Sequence, residues 1–458
     1  MMVGVERIAI DSAGDLGARA ILRVRRRLIP FLALLYFIAY LDRVNVGFAA
    51  LQMNSALGLS PLDYGRGAGI FFLGYFLFEV PSNLALARYG ARIWIARIAI
   101  VWGLVSMAMV LAVGPASFAL LRFLLGAAEA GFFPGVVLYF TYWFPARERA
   151  RAVGQFYTAS MAAGVIGSPL SGLLLQLRGV AGLDGWQWLF LAEGLPAVIV
   201  GIVALAYLDD RPRDARWLPP AEKAWLIETL SAEHDRSADA GAATLRSGLW
   251  TRQVWLLSGV MFLIVTSGYG FSFFLPQIVK SFSASSDMAV GLLTAVPFLL
   301  AAIGMIVVAS HSDRTGERRW HVAGSTWLAA SGLTTSAVAG VPVVSFIALS
   351  FAAVGLYSAT PPFWPLPTAF LRGTGAAGGI ALINAVGNLG GFVGPYVMGW
   401  MRDLSGGYAA GIGVLAACAT ASGALVLTVP SQPAATRRDV ATITRLLEET
   451  PPYRSSTR

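Results

Sequence analysis

The chain has 458 residues, of which 56% are hydrophobic and only 13% charged, with 50 glycines and a formal net charge of +9. That balance excludes a water-soluble protein of this length, which needs far more charge to cover its surface, while the glycine content suits closely packed membrane helices. A single cysteine, Cys418, excludes a disulfide framework and a cysteine metal cluster, and His234, His311 and His321 lie far apart without ligand spacing.

Apolar runs of about twenty residues, the length that crosses a bilayer, begin at 28–51 and recur at 64–86, 93–113, 116–141, 152–176 and 187–208. The first is not expected to be a cleaved leader, since it is of full spanning length, lacks a small-residue cleavage site and continues into Asp42-Arg43. A polar connection over 209–252 follows. Within it PPAEKAWLIETL suits a short amphipathic helix at the membrane surface, and SADAGAAT reads as flexible linker. The runs resume at 254–280, 288–310, 320–340, 342–366, 376–400 and 408–429, with Gly340–Pro342 dividing the ninth from the tenth. The expected organisation is an N-terminal segment 1–27, a six-helix bundle 28–208, a central loop 209–252, a second six-helix bundle 253–429, and a polar tail 430–458 with a turn or two of helix near 439–449. The fold class is therefore an all-α membrane protein, with twelve transmembrane helices in two pseudo-symmetric bundles.

Arginine sets the orientation. Arg23, Arg25, Arg26 and Arg27 precede the first span; Arg88 and Arg92 follow the second, and Arg147, Arg149 and Arg151 the fourth. The central loop carries Arg211, Arg213, Arg216, Lys223, Arg236, Arg246 and Arg252; Arg314, Arg318, Arg319, Arg372, Arg437 and Arg438 continue the pattern, whereas the opposite loops hold Arg66, Arg178, Lys280 and Arg402. By the positive-inside rule both termini and the central loop are cytoplasmic. The positive charge is then topology, not a nucleic-acid footprint.

An internal repeat supports the division into halves. Arg88-Tyr-Gly90-Ala-Arg92 follows the second span and Arg314-Thr-Gly316-Glu-Arg318 the eighth, each matching residue 226 positions from its counterpart. A tight turn needs the glycine, and flanking arginines suit helix C-termini and anionic headgroups. Paired six-helix repeats of this kind suggest a transporter.

The motifs themselves carry a resemblance. His311-Ser-Asp313-Arg314-Thr-Gly316-Glu-Arg318-Arg319 resembles the Asp-Arg-x-Gly-x-Arg loop signature of the major facilitator superfamily, and Arg122-x-x-x-Gly126 resembles its fourth-helix motif. Tyr40-Leu-Asp-Arg-Val-Asn45, Glu79-Val-Pro-Ser-Asn83, Glu129-Ala-Gly-Phe-Phe-Pro-Gly135 and Gly387-Asn-Leu-Gly-Gly391 are similar to motifs of the anion:cation symporter family. Pro361-Pro-Phe-Trp-Pro-Leu-Pro367 and Ile383-Asn-Ala-Val-Gly-Asn388 look most like the branch holding tartrate, hydroxyphenylacetate, phthalate and nicotinate permeases. The resemblance spans about 28 to 430 and implies the major facilitator fold. It assigns conformational gating to Asp313, Arg314, Gly316 and Arg318. Two departures stand out. Ala87 occupies the place of the signature's aspartate in the first half, and Gly164-Val-Ile-Gly-Ser-Pro-Leu-Ser-Gly172 partly resembles an antiporter motif, though a Gly/Pro-rich packing face explains it equally.

Charges at mid-membrane depth point to the chemistry. Asp42, Arg43, Arg122 and Glu129 would each cost about 2.5–3.5 kcal/mol or more if they faced lipid alone, so they must meet one another, water or a ligand. Tyr36, Tyr40 and Arg43 fall on one stripe, and Arg122 and Glu129 lie about 10 Å apart along one helix face. An arginine fork matches a carboxylate, which makes Arg43 and Arg122 candidates for binding an anion, with Asp42 and Glu129 as candidate proton carriers. A buried ion-pair network that only fixes helices is the competing reading. Tyr40 and Tyr75 are candidates to line the cavity. Glu79 reads as a gate or a packing residue, and Glu193 as a third titrating site or a helix–helix hydrogen bonder. Asn384 and Asn388, four apart on one face, either bind ligand hydroxyls or tie helices together; Trp364, between prolines, either stacks on a ligand or belongs to the core.

No phosphate loop, metal spacing or Ser/His/Asp set appears, so neither an enzyme nor a nucleotide-driven pump is expected, and no cofactor. The expected function is proton-coupled symport of a small organic anion such as tartrate, a sugar acid or an aromatic carboxylate, by alternating access. Expected partners are a small carboxylate, protons and the lipid bilayer, with no nucleic acid, and the chain is expected to act as a monomer in a bacterial inner membrane, a source suggested by only two lysines among many arginines. The rivals are an organic-anion exporter working by antiport and a non-transporting membrane sensor, for which loop and tail are too short to hold a signalling domain.

Overall fold

The structure, a computed structural model, describes residues 2–239, 251–283, 285–371 and 373–430. Arg246, Arg372, Arg437, Arg438, most of the expected linker and the helical turn expected near 439–449 lie outside the described residues. The described residues fold into helices joined by short turns, with no strand among them. The first half comprises α1 (Met2–Ala56), α2 (Pro61–Tyr89), α3 (Ala91–Ala108), α4 (Pro115–Glu129), α5 (Phe132–Thr141), α6 (Ala146–Leu174) and α7 (Gly185–Tyr207). The central connection contributes α8 (Pro220–Asp239). The second half comprises α9 (Arg252–Ser283), α10 (Asp287–Thr315), α11 (Arg319–Val338), α12 (Pro342–Ser358), α13 (Thr360–Phe363), α14 (Pro365–Phe370), α15 (Gly373–Ser405) and α16 (Ala409–Leu427).

Among the described residues, 11 helical stretches are long and apolar enough to cross a membrane, with α4–α5 and α12–α14 each forming one span. The shortfall from twelve is α11, whose 20 residues pack between α12 and α16 and complete the second bundle. Serines, threonines and Gly332 lower its hydropathy; several of them are buried against those neighbours, where small residues let helices approach.

Three elements differ from the sequence expectation, each for a local reason. Helix α1 does not start near residue 28 but runs on through Pro30 from the N-terminal segment. Its extension is held by Arg23, which donates to Glu222 of α8 at 2.9 Å, and by Arg27, which donates to the Tyr207 carbonyl and lies 4.3 Å over that ring. The fourth span breaks at Ala130–Gly131, where Gly131 adopts φ +82° and a Cβ would collide with the Ser82 hydroxyl at 2.5 Å. The tenth span breaks into three pieces across Pro361, Pro362, Pro365 and Pro367, because proline lacks the N–H that carries a helix onward. Backbone irregularity at membrane depth is tolerated only where protein or a cavity surrounds it, and both breaks flank the cavity described below.

The two copies of the repeated turn share a glycine at positive φ but differ in ψ, 150° at Gly90 and −3° at Gly316. Gly90 and Gly316 sit at φ +91° and +70°, ending α2 and α10, a conformation that glycine adopts without strain. Arg318 donates to Asp313 at 2.6 Å in the second half. In the first half, where Ala87 replaces the aspartate, Asp210 from beyond α7 accepts from the Arg92 N–H at 2.9 Å and packs on Gly90. The same turn in the second half brings together two histidines that sequence spacing keeps apart: His311 Nδ1 and His321 Nε2 lie 2.7 Å from one another.

The halves meet along α2–α15 on one side, α6–α10 on the other and α1–α9 between them. One end of this interface is sealed. Gln52 donates to Asp287 at 2.8 Å, Asn54 to Gln277 at 3.4 Å, the Leu62 N–H to Asp403 at 3.0 Å, and the Tyr64 hydroxyl to the Phe273 carbonyl at 2.8 Å. All four bonds lie at the end where α1 finishes and α2 begins, remote from the end of α7 that leads into the central connection. The glycine-rich face of α6 belongs to the same interface: a Cβ on Gly172 would come within 2.9 Å of the Asp287 carbonyl and 3.2 Å of the Gly291 Cα, and Gly164 faces the Phe298 ring.

Candidate functional site

Inward of that seal, the two bundles enclose a cavity of about 170 Å³. The first half lines it with Tyr36, Tyr40, Arg43, Phe72, Tyr75, Glu129 and Tyr157; the second half supplies Tyr269, Ser272, Tyr357, Trp364, Asn384 and Asn388. Among the described residues the wall is thus aromatic with hydroxyl and amide tips and a single cationic side chain, a mostly apolar vessel with a few convergent polar groups.

Arg43 is the centre of this arrangement. The α1 stripe of Tyr36, Tyr40 and Arg43 faces the cavity as its spacing predicts. The guanidinium donates from Nη2 to the Glu129 carboxylate in an ion pair, and from Nη1 to the Tyr269 hydroxyl across the cavity at 3.2 Å. Its Cζ lies 5.2 Å from the Tyr40 and Phe71 ring centres and 5.6 Å from that of Tyr75, within cation–π range. Nε makes no hydrogen bond. Glu129 is the last residue of α4, so the break at Ala130–Gly131 ends the helix beside the cavity.

Arg122 and Asp42 occupy a different place. Neither lines the cavity. Arg122 is wholly buried behind it, donating weakly to the Ala68 carbonyl at 3.4 Å, with its Cζ 5.0 Å from the Phe71 ring and Nε and Nη1 unpartnered. Asp42 lies beside it, 1% exposed, and accepts at Oδ1 from Ser106 and from Asn45 at 3.2 Å, leaving Oδ2 free. The pairing of two arginines around one ligand, expected from the sequence, is therefore not the geometry of this conformation: Phe71 stands between them. Of the four mid-membrane charges, Arg43 and Glu129 form an ion pair in the cavity, while Asp42 and Arg122 lie behind its wall with no direct bond between them.

The remaining candidates divide as follows. Tyr40, Tyr75, Trp364, Asn384 and Asn388 all line the cavity. Asn384 also ties the halves together, donating to Glu79 at 3.1 Å, so both readings of that amide hold at once. Glu193 is 2% exposed in the core of the first bundle and accepts from Ser171 at 3.3 Å. Asp313, Arg314, Gly316 and Arg318 lie at the α10 end, far along the helix from the cavity, joined by the Arg318–Asp313 pair.

Tyr157, Tyr269 and Tyr357 were not singled out in the sequence. A signal for Tyr269 was present, because it stands 226 positions after Arg43, the register of the repeated turns. The residue that meets Arg43 across the cavity is its own counterpart in the second half.

Comparisons with known proteins agree with this architecture. A family model described as Major Facilitator Superfamily matches residues 32–395 and 257–452. A protein of Agrobacterium vitis named "Putative tartrate transporter" is 49% identical over 413 residues, covering 90% of this chain and 92% of that protein. A "Quinolone resistance transporter" of Acinetobacter baumannii is 45% identical, covering 84% and 89% of the two chains. Among solved structures, the inward-open xylose transporter XylE of Escherichia coli superposes with a TM-score of 0.70 at 14% identity, over 92% of this chain and 99% of that one. The chain is a multi-pass membrane transporter, not an enzyme, and it belongs to the major facilitator superfamily.

Proposed function

We propose that the protein is a proton-coupled symporter that takes up a small organic anion, a monomer in the inner membrane with both termini in the cytoplasm. One observation carries the reading: the cavity's single cation, Arg43, is already paired with the cavity's own acid, Glu129. An arriving carboxylate and Glu129 compete for one guanidinium. A proton on Glu129 removes the competitor and frees the fork for the substrate, so anion and proton load together. One proton for each carboxylate loaded leaves the site with no net added charge, which eases closure of a dry cavity around it; a dicarboxylate therefore needs a second proton besides that on Glu129. The two halves then rock about the site, breaking the seal at Gln52–Asp287 and Tyr64–Phe273 and closing the opposite end. Asp42, with its free Oδ2 and its neighbour Arg122, is proposed as a second proton carrier behind the wall.

Tyr40, Tyr75, Tyr269, Asn384 and Asn388 supply hydroxyl and amide tips suited to a hydroxylated acid, and Trp364 supplies an apolar face. The tartrate transporter named above supports a small hydroxy-dicarboxylate. Export of a larger anion in exchange for protons is the second reading, favoured by the relative named for quinolone resistance. A cavity of about 170 Å³ fits a small solute better than a drug-sized one, for which about 300 Å³ or more is usual.

Proteoliposome uptake of labelled tartrate, sugar acids and aromatic acids tests the proposal. An inward proton gradient should drive accumulation in wild type. Glu129→Gln should bind anion independently of pH and exchange it between equal pools, but accumulate none. Accumulation driven only by an outward-directed gradient would select the antiport reading, and normal gradient-driven uptake by Glu129→Gln would sink the role of Glu129.

A further inference from the structure

A second buried polar site lies inside the first bundle, away from the cavity. Asp42 and Asn45 on α1, Ser106 on α3, and Ser171 and Glu193 on α6 and α7 are each at most 2% exposed. Their hydrogen bonding is lopsided. Asn45 and Ser106 both donate to Asp42 Oδ1, and Ser171 donates to Glu193 Oε1. Asp42 Oδ2, Asn45 Oδ1 and Glu193 Oε2 have no partner, so three buried acceptors face a shortage of donors. Asn45 and Asp42 are, with Ser171, the polar neighbours of Glu193.

The charge count points the same way. Arg43 is taken by Glu129, and Arg122 lies beside Asp42. Among the described residues, the spans of the first bundle bury four acids, Asp42, Glu79, Glu129 and Glu193, against the two cations Arg43 and Arg122. Ionised, Glu193 would add an unmatched charge beside Asp42 in a site with almost no water, which burial penalises heavily. A buried acceptor without a donor is likewise costly, and a carboxylic O–H removes the charge while turning one orphaned acceptor into a donor for a second.

We infer that Glu193 is held as a neutral carboxylic acid whose hydroxyl supplies the missing donor to this cluster, and that it thereby keeps the Asn45 amide on Asp42. Glu193 is a positioning residue: it touches no substrate and carries no transported proton. The inference rests on the proposed role of Asp42, since the alignment of Asn45 matters to transport only if Asp42 takes up and releases a proton.

Glu193→Gln preserves a neutral donor of the same shape, and Glu193→Leu removes it. Difference infrared spectra of purified wild type and Glu193→Gln should reveal one protonated-acid carbonyl band, present in wild type across the working pH range and missing from the variant. Gradient-driven uptake should stay within about twofold of wild type in Glu193→Gln and fall by about tenfold in Glu193→Leu, the size expected for one net hydrogen bond. The pH profile of uptake should shift in Glu193→Leu alone. Three results would overturn the inference: no band assignable to Glu193, loss of coupling in Glu193→Gln, or sodium-dependent thermal stabilisation of wild type that Glu193→Gln lacks, which would mean that the orphaned oxygens hold a cation. The band reports on Glu193 alone, so it gives the same answer whether or not Asp42→Asn abolishes gradient-driven uptake, the result by which the Asp42 reading itself is judged.

Discussion

At the residue scale, the arginines of the first and fourth spans have separate jobs. Arg43 lines the cavity and holds Glu129 and Tyr269; Arg122 is sealed behind Phe71 with Asp42 as its nearest acid. Replacing each by alanine should therefore give different losses. Arg43→Ala removes the one cation among the described residues that line the cavity, and isothermal titration should record binding weaker by about 1.5–3 kcal/mol, or none, with the protein still folded. Arg122→Ala removes the cation whose charge acts most strongly on buried Asp42. Its main effect should be on stability, a loss of about 3–5 kcal/mol read as a lower melting temperature in detergent, which Asp42→Asn in the same background should partly restore. If Arg122→Ala melted like wild type and simply failed to bind, Arg122 would have to reach the substrate in another conformation.

At the scale of elements, small residues decide how closely the halves can approach. Gly172 on α6 faces Gly291 on α10 with no room for a methyl group, whereas Gly154, earlier on α6, has no neighbouring atom within 4 Å of where a Cβ would stand. Gly172→Ala should force the two helices apart and destabilise the protein by about 1–3 kcal/mol, as overpacking does. Gly154→Ala should be neutral or slightly stabilising, since alanine is the better helix former. Thermal melts of the pair provide the check. Equal melting temperatures would mean that α6 and α10 can slide without loss. In the antiporter-like stretch of α6, Gly164 and Gly172 thus serve packing between the bundles, while Gly167 packs on Leu41 of α1.

At the scale of the whole molecule, the four bonds of the seal hold one of two arrangements of the halves. Asp287 accepts from both Gln52 of the first half and Lys280 of the second, so it is the seal's charged hub. Asp287→Ala removes a charge-assisted bond between the bundles, about 1.5–3 kcal/mol, and should shift the population toward the opposite-facing state by roughly ten- to a hundredfold. With Cys418 replaced, a cysteine introduced at Ser272 in the cavity wall would report the change through faster labelling by a membrane-impermeant thiol reagent added on the sealed side. An unchanged labelling rate would show that the apolar packing of α1 on α9 keeps the seal without this hub.

The sequence by itself determined the spans, their division into halves and the stripe of Tyr36, Tyr40 and Arg43. These depend on hydrophobic length and helical period, which are local properties of the chain. It also carried the repeat, down to the 226-residue register that pairs Arg43 with Tyr269. It did not determine which mid-membrane charges meet. Asp42 and Arg43 are neighbours on one helix yet point into different compartments, because successive residues turn by about 100° around the axis. Only the packing of α4 and its break at Ala130–Gly131 gives Glu129 to Arg43 and leaves Arg122 behind Phe71 with Asp42. The α11 span was legible by length although its hydropathy is low, since serines and glycine there serve helix contacts and not lipid. Asp210 and the His311–His321 contact were not legible at all, because both arise where chain ends of different helices converge. Spans follow from short-range chemistry. The pairing of buried charges is a long-range matter, decided by which helix faces the tertiary structure brings together.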